Sequence, residues 1–100
     1  MIYYVAHKYG GDPENFNRAK KITHDLQIND LDNCYICPLM AFSHLGYGEL
    51  GIEEEMLICE DLLMACDVLL VASEPSKGVR REIALARKIG MEVQYLDDRL

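Results

Sequence analysis

The segment Ser73–Glu82, SEPSKGVRRE, brings two serines, a glycine, three basic side chains and a C-terminal carboxylate into one short stretch. A glycine at the start of a helix exposes backbone N–H groups with no Cβ in the way. Together with the positive end of the helix dipole they make an anion site. Ser76 adds a hydroxyl donor, and Lys77, Arg80 or Arg81 can add charge. Glu82 lies four residues after Gly78 and four before Ala86, so all three share one side of the helix. A helix N-terminus favours the ionised carboxylate, the form that a nucleophile requires. The same residues also suit a plain strand-to-helix turn with a solvated basic face, so the surrounding elements must discriminate.

Those elements alternate between strand and helix along 100 residues, a length that suits one domain, with no linker, repeat or low-complexity segment. Residues 1–7 are apolar and β-prone and form the first strand. The loop KYGGDPEN follows, with Asp12 as N-cap and Pro13 at the first helical position. Apolar spacing through Phe16, Ala19, Ile22 and Leu26 predicts a first helix from Pro13 to about Leu26. A short strand, Cys34–Cys37, stops at Pro38. Residues 38–52 lack periodicity and read as a loop or short helix able to cover a site. A second long helix starts near Ile52, its acidic first turn matched to the helix dipole, and buries Met56, Cys59, Leu62, Leu63 and Cys66. A strand over Asp67–Ala72, a helix over about Lys77–Ile89 ending at Gly90, and a strand over Met91–Leu96 complete the pattern.

Such alternation implies right-handed crossovers and a three-layer α/β fold with a flavodoxin- or Rossmann-like parallel sheet of about four strands, expected in the order 2-1-3-4. Ligands of these folds bind at the carboxyl ends of the strands, near the switch point. HKYGGD, CPLMAFSH and SEPSKGVRRE all fall on that rim.

A net charge of −7 argues against a nucleic-acid polymer as partner, because phosphate backbones need clustered Lys and Arg. The apolar runs are far shorter than the roughly 20 residues of a membrane span. The first residues read as a strand rather than a signal peptide, and a cytoplasmic location is expected. Cys34 and Cys37 form a CxxC, but strand alternation turns them to opposite faces. Cys59 and Cys66 face the core, so buried free thiols are expected, with no metal and no cofactor.

PSKGVRREIALA resembles the S-x-G-x-x-x-E element of the nucleoside 2-deoxyribosyltransferase superfamily, and most closely that of the 2′-deoxynucleoside 5′-phosphate N-hydrolases. IYYVAHKYGG is similar to the superfamily's first strand and glycine-bearing loop. NFNRAKKI and DLLMACDVLLVAS extend the likeness over most of the chain outside residues 38–52. The resemblance implies that Glu82 attacks the anomeric carbon of a deoxyribose and that Tyr3 contacts this nucleophile. It further implies that Ser76 and Gly78 bind a 5′-phosphate, and that Gly10 and Gly11 are the paired glycines of the first loop. His7 ends the first strand on the same rim and joins the substrate-binding set. The superfamily's helix aspartate falls on Cys59, which leaves Asp61, Glu49 and His44 as candidates for the acid that protonates the departing base. A nucleoside or nucleotide substrate and a homodimer or larger assembly are the implied partners. The alternative is a nucleotide-binding module without catalysis.

Overall fold

The computed structural model describes the backbone of residues 1–99 and the side chains of residues 1–97. Strand β1 (Ile2–Ala6) leads through the glycine loop into helix α1 (Pro13–Ile28). Strand β2 (Cys34–Ile36) is followed by a single-turn helix, α2 (Pro38–Ala41), and then by an irregular strap up to helix α3 (Ile52–Met64). Strand β3 (Val68–Val71), helix α4 (Lys77–Lys88), strand β4 (Glu92–Tyr95) and a 3-10 turn over Leu96–Arg99 follow.

The local rules that the sequence suggested operate at the helix ends. Asp12 caps α1 by accepting from the Glu14 N–H at 2.9 Å, and Pro13 occupies the first turn, where its missing N–H costs nothing. Helix α4 is capped by Ser76, whose hydroxyl accepts from the Val79 N–H at 3.3 Å. Gly90 follows it with φ of 76°, the left-handed conformation that a residue with a Cβ resists.

The four strands are all parallel, in the order β2-β1-β3-β4, as expected. The sheet is buried on both faces, and alternation along β1 sorts its residues between two cores. Tyr4 and Ala6 face α3 and α4, packing with Leu63, Leu69, Val71, Val79, Ile83 and Ala86. Tyr3 and Val5 face α1, packing with Ala19, Tyr35, Cys37, Val68 and Leu70. This division between adjacent tyrosines determines which of them reaches Glu82. No helix among the described residues is long and apolar enough to cross a membrane.

The short edge strand β2 is pinned by one side chain. Gln27 of α1 accepts from the Tyr35 N–H at 2.9 Å and donates to the carbonyls of Asp30 and Asn33 at 3.0 and 2.8 Å. These bonds tie the end of α1 to the edge of the sheet and fix the platform beneath the first loop.

Candidate active site

Glu82 is only 6% exposed, on the inner face of α4 with Val79, Ile83 and Ala86. A buried carboxylate needs a partner, and the Tyr4 hydroxyl donates a hydrogen bond to its Oε2. Burial pushes the Glu82 carboxyl up to about 7. The Tyr4 hydrogen bond pulls it back toward ionisation, and the charge of Glu60 pushes it up further. Burial also raises Tyr4, with the Glu82 charge adding to the effect, so the phenol keeps its proton and remains the donor.

The tyrosine holding the carboxylate is therefore Tyr4, not the expected Tyr3. Tyr3 lies on the opposite face of the sheet, stacked on Tyr35 with ring centroids 4.9 Å apart. Strand alternation is the reason: adjacent residues of β1 point to opposite layers.

The helix-α3 candidate also moves. Asp61 is exposed, whereas Cys59, two residues earlier, lies beside the Tyr4 hydroxyl and feels the charge of Glu82. A shift of two residues turns a helical side chain by about 200°, which takes Asp61 out of the site. Burial, reinforced by the nearby carboxylate, pushes the Cys59 thiol up to about 11, so it is a neutral thiol at ordinary pH. Glu49 closes its own turn, accepting from the Gly46 N–H at 3.0 Å, and His44 is exposed beside Phe42.

At the mouth of α4, Ser76 spends a lone pair on its cap and keeps its hydroxyl proton for another acceptor. Gly78 has spare room. A methyl group there would meet the flexible Met56 side chain, 3.4 Å from Sδ, and the Ser76 Oγ at 4.0 Å, both ordinary contacts, so packing does not demand glycine. Gly78→Ala is expected to leave the melting temperature unchanged or raise stability by about 0.5–1 kcal/mol through helix propensity. If that variant also binds deoxynucleotide more weakly by titration calorimetry, the missing Cβ serves a ligand. Undiminished binding would remove Gly78 from the site.

Arg81 is not available to an anion. It donates to both oxygens of Glu53, at 2.8 and 2.9 Å, and to Glu60 at 3.0 and 3.1 Å, clamping α4 onto α3. Lys77 and Arg80 are the exposed cations on this first turn.

On the opposite side of the rim, Gly10 and Gly11 both have positive φ, 64° and 76°. Gly11 is also the seat of Tyr47 from the irregular strap. A Cβ on Gly11 would lie 2.7 Å from that ring, which in turn meets Tyr9 edge-on with centroids 5.5 Å apart. The strap thus covers the glycine loop, a contact between distant segments that no local motif announces. Ser73 joins the two halves of the rim by accepting from the Lys8 N–H at 2.9 Å. His7 is buried at the end of β1.

The CxxC divides as alternation requires, with Cys34 exposed and Cys37 buried, and burial pushes the Cys37 thiol up to about 11. Among the described residues no group of three His, Cys, Asp or Glu side chains is placed to hold a metal ion. Two surface cavities lie along α1, and Glu82 lines neither of them. One of about 510 Å³, bounded by Lys20, His24, Tyr35 and Met40, is an open apolar groove at the sheet edge with no convergent catalytic groups. Chemistry therefore points to the Glu82 rim and away from these grooves.

No protein-family model matches the chain, and no curated protein matches it in sequence. A solved structure does: the 2-desoxiribosyltransferase from Leishmania mexicana, at 19% identity and a TM-score of 0.70, over 95% of this chain. The match spans 63% of the length of that neighbour. In architecture and strand order, the chain has a nucleoside 2-deoxyribosyltransferase-like fold.

Proposed function

We propose that the protein cleaves the N-glycosidic bond of a 2′-deoxynucleoside or its 5′-monophosphate, with Glu82 as nucleophile. The observation that carries this reading is the buried Glu82 carboxylate, held by Tyr4 on the first turns of a Ser-capped helix at the rim of this fold. In this scheme a Glu82 oxygen attacks C1′ as the C1′–N bond breaks through an oxocarbenium-like state. The bonding pair leaves with the base, which takes a proton from solvent, and a glycosyl ester remains on Glu82. Water then attacks C1′ and restores the carboxylate in a hydrolase, or a second base does so in a transferase. Ser76, the α4 backbone N–H groups and Lys77 or Arg80 receive the 5′-phosphate, while the loop with Gly10 and Gly11 faces the nucleoside.

One observation favours a second reading. Cys59, a neutral thiol, occupies the α3 position facing Tyr4 and Glu82, and a thiol with pKa of about 11 is a poor acid for a departing base. A binding module that retains the cradle without turnover fits that feature.

The deciding experiment measures free base released from the deoxynucleoside monophosphates by the wild type and Glu82→Ala. Release by the wild type, lost by three orders of magnitude or more in the variant, supports the enzyme. No release from any substrate, combined with thermal stabilisation by nucleotide, selects the binding module. Neither release nor stabilisation rejects both.

A further inference from the structure

Among the described residues, one buried side-chain nitrogen or oxygen has no hydrogen-bond partner: Nε2 of His7. His7 is 4% exposed and follows β1 at its carboxyl end. The chain leaves β1 for β2 on one side and later returns to β3 on the other, so the crevice outside β1 and β3 is the switch point of the sheet. The Lys8 N–H to Ser73 bond closes the base of that crevice, next to the residues that lead into α4. The orphan atom therefore belongs to the stretch of rim where ligands of such folds bind.

Its chemical character is fixed by its neighbours. Nδ1 is 2.7 Å from the Lys8 carbonyl, which can only accept, so Nδ1 carries the proton and Nε2 presents a lone pair. The positive charges of Arg18 and Lys8, together with burial, oppose a second proton on the ring. A neutral acceptor cannot bind an ionised phosphate oxygen, because neither atom supplies a hydrogen.

We infer that His7 Nε2 accepts a hydrogen bond from an O–H or N–H group of the bound ligand, which makes it a donor-reading subsite separate from the phosphate cradle at Ser76 and Gly78. This assignment rests on the nucleotide reading above. Within the substrate-binding set, it gives His7 the sugar or the base to read and not the phosphate. Nε2 is buried in the free chain, so the ligand group reaches it only as the neighbouring side chains shift on binding.

The test is a titration of imidazole-¹⁵N-labelled protein at pH 7.5, followed through the His7 ring nitrogens and the Gly78 amide. The other two histidines, His24 and His44, are exposed and can be assigned by their glutamine variants. The probes are inorganic sulfate, 2-deoxyribose 5-phosphate and a deoxynucleoside monophosphate. Expected is a His7 Nε2 resonance that is unprotonated and unbonded in the free protein, unmoved by sulfate, and shifted toward the hydrogen-bonded position by nucleotide. A shift already produced by deoxyribose 5-phosphate puts the donor on the sugar; a shift confined to the nucleotide puts it on the base. If the Gly78 amide responds to nucleotide while Nε2 stays still, or if Nε2 is protonated, the subsite is wrong and the nucleotide site survives. If neither responds to any probe, both fail.

Discussion

Replacing Glu82 with glutamine is expected to stabilise the protein above neutral pH and to leave its stability nearly unchanged below about pH 4. Folding raises the Glu82 carboxyl from its ordinary value of 4.5 to about 7. Between those values the folded chain holds a proton that the unfolded chain has released. The stability of the wild type therefore falls as pH rises through this window and levels off above it. A difference of this size corresponds to about 3 kcal/mol at most. Glutamine keeps an oxygen to accept from Tyr4 but never ionises, so it escapes that loss. For a domain of this size the gap amounts to a melting temperature higher by on the order of 10 °C at pH 8. His7 acts in the opposite sense: its folded value is lowered, so its stabilising contribution is lost as pH falls through the ordinary histidine range. That contribution is common to both proteins and cancels in the comparison. Thermal melts of the two proteins from pH 4 to pH 8 provide the check. Parallel curves would mean that Glu82 titrates normally, and the site would lose its distinguishing feature. A more stable but inactive variant is what a functional site built on a strained ionisation predicts.

Much of this arrangement can be read in the sequence. Asp12 and Pro13 announce the start of α1, Gly90 announces the end of α4, and the alternation of strands and helices implies a parallel sheet in the order found. Glu82 shares an inward helical face with Ala86, and that periodicity survives folding. The choice between Tyr3 and Tyr4 does not emerge in the same way. A strand buried on both faces has no polar alternation to mark its phase, and two adjacent tyrosines are equivalent until the layers are assigned. The cue for α3 was present: Met56, Cys59, Leu63 and Cys66 recur at helical spacing, which turns Cys59 inward and Asp61 outward. The Arg81 clamp and the seat of Tyr47 on Gly11 join residues far apart in the chain, with no local pattern to signal them.

The pair of β1 tyrosines also yields the sharpest mechanistic test. Tyr4→Phe removes one oxygen and with it the hydrogen bond that favours ionised Glu82. Hydrogen bonds to charged groups contribute about 1.5–3 kcal/mol, or roughly one to two pKa units. The Glu82 titration, followed by ¹³C resonance of its carboxyl, should therefore move to higher pH by that amount. If Glu82 is the nucleophile, base release at pH 6 should fall on the order of 10- to 100-fold and recover toward the wild-type rate as pH rises. Tyr3→Phe keeps the ring stacked on Tyr35 in the other layer and is expected to leave the Glu82 titration in place. A Tyr4→Phe loss of equal size at every pH would show that Tyr4 does more than hold the carboxylate. A larger titration shift from Tyr3→Phe would contradict the assignment of Tyr4 altogether. The double replacement Tyr4→Phe with Cys59→Ser separates the remaining contributor. Cys59 adjoins the Tyr4 hydroxyl and feels the Glu82 charge directly, so a double replacement that shifts the titration beyond Tyr4→Phe alone would give it a contribution of its own.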